Sequence, residues 1–165
     1  HAAYCAAKFA VKGFTEALIT DLRINAPNVS CSVVMPGHIG TPIVENSRKL
    51  VREKNAEDPT DTEVQLAREL YLRRGLPLDN VPDEHIRQMM QQESDDFRDK
   101  ALTSAEDAAS IILKGVKEKR WRILVGEDAE FLDQSVRADP ESAYELEFYE
   151  RVANREVALN FGDGN

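Results

Sequence analysis

Positive charge, cysteine and long apolar runs are all scarce in this chain of 165 residues. Lysine and arginine number 21 against 30 aspartates and glutamates, which leaves a net charge of -9. Binding to a nucleic-acid backbone or to an anionic membrane surface requires positive charge, so we expect neither partner. No apolar run approaches the roughly 20 residues that cross a bilayer, and no signal peptide is visible. These absences predict a cytoplasmic protein.

The two cysteines, Cys5 and Cys31, give no sign of a metal centre. Their spacing matches no zinc-binding pattern, and too few thiols are present for a disulfide framework. Two reduced, packed thiols are the simpler interpretation. We therefore expect no metal site.

The order of predicted elements is helix, strand, helical insert, helix, strand and further helices. Residues 2–24 are rich in alanine and predict a helix that ends at "NAPN", because the residue before a proline avoids the helical conformation. Two short runs rich in β-branched residues, "VSCSVVM" at 29–35 and "WRILVG" at 121–126, predict strands. Residues 43–100 predict short amphipathic helices separated by prolines and glycine. This alternation indicates an α/β fold with parallel strands.

A parallel sheet of only two strands would leave an open edge and an uncovered face. The sequence therefore predicts the second half of a larger domain. The whole of 1–165 would be the C-terminal portion of a single domain, and residues 43–100 would form a helical lid within it.

Tyr4 and Lys8 lie one helical turn apart at the start of the first helix. Residues at this spacing share a face. A free phenol is a poor acid-base catalyst at neutral pH, but a neighbouring ammonium group favours the phenolate form. Such a pair can exchange a proton with a carbonyl or alcohol oxygen. The alternative is a packed surface pair without chemistry.

A second motif, "PGHIGT", begins where the first predicted strand ends. In open α/β sheets, ligands bind at the carboxyl ends of the strands. Together, "YCAAK" and "VSCSVVMPGHIGT" resemble the C-terminal half of the short-chain dehydrogenase/reductases over about residues 1–43. The resemblance continues more loosely through "TSAEDAASIILKGVKEKRWRILVG". Members of this family transfer hydride between a nicotinamide cofactor and a carbonyl or alcohol substrate.

The resemblance implies a Rossmann-type doubly wound parallel sheet and an NAD(P)-dependent oxidoreductase. Tyr4 would be the proton donor and acceptor, and Lys8 would favour its ionised form and hold the nicotinamide ribose. The backbone of Ile39 would bind the carboxamide, and Thr41 would steady the carboxamide or the pyrophosphate. The implied contacts of the nicotinamide end are Tyr4, Lys8, Pro36, Gly37, Ile39 and Thr41.

Two residues of the second motif have alternative interpretations. Thr41 also suits the cap of a helix that starts near Pro42. His38 could contact the substrate, since a histidine can transfer protons near neutral pH. A solvated loop histidine is the simpler interpretation for His38.

The sequence departs from the family in lacking the glycine-rich phosphate loop, the selector of the adenosine ribose and the active-site serine. NAD and NADP therefore both remain open. Either the chain is a fragment, or another polypeptide supplies the N-terminal half, or catalysis has been lost. The intact pair and loop favour the first two.

The predicted lid and first helix raise two further questions. Apolar residues of the lid predict a lining for a bulky, lipophilic carbonyl or alcohol, or else simply the lid's own core. They are Leu70, Leu72, Leu76, Leu78, Ile86, Met89, Met90 and Phe97. The resemblance implies that helix 2–24 packs against a second copy of itself in a homo-oligomer, with Phe9, Phe14 and Leu18 as apolar contacts. A non-catalytic association module is the alternative function.

Overall fold

The computed structural model of the chain describes residues 2–51, 59–78 and 80–152. It divides into two compact units, one formed by His1–Ile39 with Leu102–Asn165 and the other by Gly40–Ala101. The predicted end of the first insert helix, residues 52–54, lies outside the described part. So do the residues after 152.

Six α-helices and four short strands are present in the described part. In chain order they are α1 (Ala2–Asn25), β1 (Val33–Pro36), β2 (Ile39–Gly40), α2 (Ile43–Val51), α3 (Asp61–Arg73), α4 (Asp83–Asp99), β3 (Thr103–Ser104), α5 (Ala105–Lys117), β4 (Arg122–Val125) and α6 (Glu127–Ala138). A 3-10 turn at Ser142–Tyr144 and a helical segment at 146–152 follow. The prediction of an α/β fold is confirmed at this level.

Strands β1 and β4 pair in parallel, as the alternation of elements predicted. The register places Val33 opposite Arg122 and Pro36 opposite Val125, so the two strands end together. The expectation of two strands is corrected, because β2 and β3 form a second small sheet. The first predicted strand is also shorter than expected and includes Pro36, which sits at the strand end, where a missing N–H is tolerated.

The core of the first unit forms where α5 packs on β4. Ala108, Ile123 and Val125 are buried there, with Val34 and Ile39 among the residues packed against them. Ser104 begins α5, and its hydroxyl accepts a hydrogen bond from the Asp107 N–H at 3.0 Å. At Gly115 the helix approaches the strand closely, since a Cβ there would lie 2.6 Å from Ile123 Cδ1.

The second unit is helical and has a core of its own. The Thr60 hydroxyl accepts from the Glu63 N–H, and the Glu63 carboxylate accepts from the Thr60 N–H, which is a complete capping box at the start of α3. The buried residues of this unit's core are Val64, Tyr71, Leu78, Ile86 and Met90. No helix among the described residues combines the length and hydrophobicity that a bilayer crossing requires.

Candidate active site

Helix α1 brings the predicted catalytic pair together. Tyr4 and Lys8 are one turn apart, and the Lys8 ammonium nitrogen lies 5.4 Å from the centre of the Tyr4 ring. At this distance the cation interacts with the face of the ring. Within the described residues, Lys8 makes this contact and no ion pair, so its N–H donors remain available to a ligand.

The pair opens onto a cavity of about 370 Å³ between α1 and β1. Pro36 also lines it, at the carboxyl end of β1. The Tyr4 side chain is accessible, because 63% of the residue's surface is exposed. The other lining residues are Phe9, Val11, Lys12, Val33, Val34 and Met35. Three of the predicted site residues therefore share one concave surface of the first unit.

Neighbouring charges distinguish Lys8 from the next lysine on the helix. Lys12 forms an ion pair with Glu16 at 2.9 Å, so its charge is partly compensated within the helix. Lys8 lacks such a carboxylate partner in the described part of the chain. Of the two, Lys8 is the cation better placed to act on Tyr4 or on an anionic or hydroxyl-bearing ligand.

The loop after β1 is held by hydrogen bonds that two successive backbone N–H groups donate. The Gly37 N–H donates to the Val125 carbonyl at 2.9 Å, and the His38 N–H donates to Asp128 Oδ2 at 2.5 Å. Ile39 then begins β2, and its side chain packs against the core of the first unit. The Gly37 N–H is thus already used within the protein, and a cofactor contact at Gly37 would have to involve its other atoms.

The roles of two residues of the "PGHIGT" motif, Thr41 and His38, stay predictions. Thr41 belongs to the second unit and directly precedes Pro42 and α2, so its role as ligand or helix cap stays a prediction. His38 is half-buried, and its backbone is bound to Asp128. Its contact with a substrate also stays a prediction.

Sequence reasoning missed Asp128, the most buried carboxylate near the loop. It is the second residue of α6 and is 8% exposed. The available signal was "VGED" at the end of the second predicted strand. The carboxyl ends of parallel strands meet at one sheet edge, so an acidic residue just after β4 lies beside the loop after β1.

Other features of the described residues contribute no candidate site. No cluster of histidine, cysteine, aspartate or glutamate suited to a metal is found there. A larger cavity of about 510 Å³, lined by Thr103, Leu124 and Glu127 among others, includes none of the predicted site residues.

Seven of the eight residues predicted to line the lid fall into two groups, and the eighth, Phe97, is half-buried. Leu78, Ile86 and Met90 form the second unit's core, and Met89 packs against it, as the alternative interpretation expected. Leu70, Leu72 and Leu76 are exposed by 40% or more. The core residues are therefore not available as a lining, whereas the three leucines are accessible.

Comparison with known protein families finds a match for the N-terminal part of the chain. Comparison with curated proteins and with solved structures finds no match for the chain. The model of the short chain dehydrogenase family matches residues 1–51. The matched segment includes α1, β1, the loop after β1 and α2. Over this part of its length, the chain is similar to the short chain dehydrogenases.

Proposed function

We propose that the protein is an NAD(P)-dependent oxidoreductase that interconverts a carbonyl and an alcohol, with Tyr4 as the proton donor and acceptor. The observation that supports this most is the Lys8 ammonium group over the Tyr4 ring, in a cavity that Pro36 also lines. The match of residues 1–51 to the short chain dehydrogenase family supports the reaction class.

The residues present suit one end of a dinucleotide. Lys8 offers N–H donors for ribose hydroxyls, and Pro36 provides a wall of the same cavity. Ile39 and Thr41 are the further proposed contacts of the nicotinamide end. NAD or NADP, when bound, supplies or accepts the hydride.

The step that the chain's own residues would perform is the transfer of a proton to or from the substrate oxygen. Tyr4 is an exposed residue that lines the cavity, and its hydroxyl is the proposed group that donates a proton to a substrate oxygen or accepts one from it. Lys8, whose ammonium group lies over the Tyr4 ring, is the proposed partner of Tyr4 in this step. Lys8 therefore has two proposed tasks, one on Tyr4 and one on the ribose.

Replacement of Tyr4 by phenylalanine in the full-length protein tests this assignment. Turnover of a carbonyl panel with NADH or NADPH should fall by about 100-fold or more, within the range ascribed to acid-base catalysis. Cofactor affinity should change little, since the ring remains under Lys8. Tyr144→Phe is the matched control, because Tyr144 is 85% exposed and outside the cavity. Normal turnover by Tyr4→Phe would overturn the assignment.

Lys8→Met separates the two proposed tasks of the lysine. This variant should lose turnover and also bind the cofactor more weakly, whereas Tyr4→Phe should lose turnover alone. Cofactor binding can be measured by calorimetry or by the thermal shift that a ligand of the native state produces. Unchanged affinity in Lys8→Met would remove Lys8 from the cofactor site.

Self-association through α1 is the second candidate function. Phe9 and Phe14 are 69% and 70% exposed, although Leu18, the third predicted contact, is half-buried. Exposed aromatic residues are enriched at protein interfaces. Sedimentation of the full-length protein should show a dimer or larger assembly that Phe14→Glu dissociates. Association without cofactor binding would favour this role over the enzyme.

A further inference from the structure

A buried carboxylate lies beside the loop that follows β1. Asp128 is 8% exposed, and its Oδ2 accepts the hydrogen bond from the His38 N–H at 2.5 Å. Its Oδ1 is buried and has no hydrogen-bond partner within the described residues. A carboxylate is costly to remove from water unless its bonds compensate. Within the described residues, the bond from the His38 N–H partly compensates the burial of this carboxylate.

Two glycines make room for this carboxylate. A Cβ on Gly37 would lie 2.1 Å from Asp128 Oδ1, and a Cβ on Gly126 would lie 2.5 Å from the same atom. Real Cβ atoms do not approach so closely, so any side chain at Gly37 would displace the carboxylate or the loop. The backbone of the loop thus packs directly against Asp128.

The loop is fixed to two different elements. Gly37 donates to the carbonyl of Val125 at the end of β4, and His38 donates to the first turn of α6 through Asp128. Pro36 immediately precedes these two bonds and lines the cavity of Tyr4 and Lys8. A shift of the loop would therefore move one wall of that cavity.

We propose that Asp128 is a positioning residue of the candidate active site. It acts through the His38 N–H, which it holds so that Pro36 keeps its place beside Tyr4 and Lys8. This inference rests on the proposed oxidoreductase function, because a fixed cavity wall aids catalysis by keeping cofactor and substrate aligned. A purely structural role is the competing explanation, since a carboxylate in the first turn of a helix also stabilises that helix.

Asp128→Asn and Asp128→Ala in the full-length protein distinguish the two roles, with Asp133→Asn as the matched control. Asp133 is on the same helix and accepts from Arg122 at 2.7 Å, away from the loop. The first measurement is the hydrogen-exchange rate of the His38 amide, which does not depend on activity. Loss of a hydrogen bond to a charged group should raise the exchange rate of the donor amide by roughly tenfold to a hundredfold. We expect that acceleration at His38 in Asp128→Ala and a smaller one in Asp128→Asn, whose amide oxygen can still accept.

The second measurement is steady-state kinetics with the carbonyl substrate. Loss of alignment should lower kcat by about tenfold to a hundredfold, with little change in the substrate KM. Asp133→Asn should lose stability but keep both kcat and the exchange rate of His38. If Asp128→Ala fails to fold, Asp128→Asn alone decides.

The possible failures are distinguishable. Wild-type kcat in a folded Asp128→Asn or Asp128→Ala variant, with His38 exchange as in the wild type, would overturn the positioning role. An equal effect of Asp133→Asn on His38 exchange would also overturn it, because the effect would then be general destabilisation. A wild-type protein without turnover or cofactor binding would overturn the proposed function, and the positioning role with it. The His38 exchange data would still report whether Asp128 holds the loop.

Discussion

Helix α1 and the helical pair α3–α4 use their apolar residues in opposite ways. In the 24 residues of α1, Ile19 is the buried residue. In the 13 residues of α3, Val64 and Tyr71 are buried, and α4 adds Ile86 and Met90. The candidate catalytic pair lies on the less buried helix.

This difference separates an accessible helix, which bears the proposed catalytic pair, from a helical pair that forms a core. A side chain that transfers a proton to a ligand must be reachable, and Tyr4 is. Helices α3 and α4 gain stability from mutual packing, as short helices generally must. We therefore expect substitutions on α1 to affect activity more than stability and substitutions in the α3–α4 core to do the reverse.

The largest expected effect comes from Ile86→Ala. Ile86 is fully buried in the core of the second unit, and truncation of such a residue costs about 2–5 kcal/mol through lost burial and a new cavity. Ile24→Ala, at a position of α1 that is 75% exposed, should change the free energy of unfolding by no more than about 0.5 kcal/mol.

Urea unfolding of both variants and the wild type checks this comparison. The m-value should remain the same, so that the midpoint reports stability. A loss of more than about 2 kcal/mol in Ile24→Ala, on the scale of buried truncations, would contradict the exposed state of α1.

Alanine substitution of two helix glycines tests the same contrast in packing, with smaller changes in stability that have opposite signs. Gly13 in α1 has nothing within 4 Å of the position of a Cβ, so Gly13→Ala should stabilise by about 0.5–1 kcal/mol through helix propensity. A Cβ at Gly115 in α5 would lie 2.6 Å from Ile123 Cδ1. Overpacking of that kind should destabilise by about 1–3 kcal/mol. Thermal unfolding should therefore move in opposite directions, and the same direction for both would refute the packing difference.

Local signals were enough to predict α1. Alanine-rich sequence and the break at "NAPN" placed its end at 24, and the helix runs to Asn25. The spacing of Tyr4 and Lys8 then follows from helix geometry. For these two residues, the sequence contains most of the information that the structure adds.

The pairing of β1 with β4 determines the length of β1, which the sequence alone does not specify. The strand predicted over 29–35 forms only at Val33–Pro36, because Val33 faces Arg122 and Pro36 faces Val125 at the two ends of β4. β-Branched residues favour extended structure but do not specify the partner's length. The two-residue strands β2 and β3 are too short to show any periodicity.

The bond between Asp128 and His38 was also beyond local reasoning. The two residues are far apart in sequence, and an acidic residue in the first turn of a helix already has a sufficient local explanation. Its burial under Gly37 depends on how β1 and β4 end together. Tertiary contacts of this kind require the paired strands first.

The last expected effect depends on pH and concerns a buried tyrosine, Tyr71, in contrast to the accessible Tyr4. Burial, together with the hydrogen bond that the Tyr71 hydroxyl donates to Glu93 at 2.8 Å, raises the pKa of Tyr71 to about 12. In the unfolded chain a tyrosine pKa is near 10. Folded protein therefore holds this proton more tightly than unfolded chain does. The stability that results is complete below pH ~10 and is lost as the pH rises towards about 12.

Tyr71→Phe removes both the proton and the hydrogen bond. At neutral pH it should cost about 1 kcal/mol, the usual net value of such a bond. Between pH ~10 and 12 its stability should fall less steeply than that of the wild type, since one contribution to the slope is gone. Tyr144→Phe, at a position 85% exposed, serves as the control in urea unfolding across this range. Because the α3–α4 core holds the hydroxyl of Tyr71 away from water, a wild-type slope in Tyr71→Phe would mean that the core is open to solvent and that the contrast with α1 is smaller than the structure indicates.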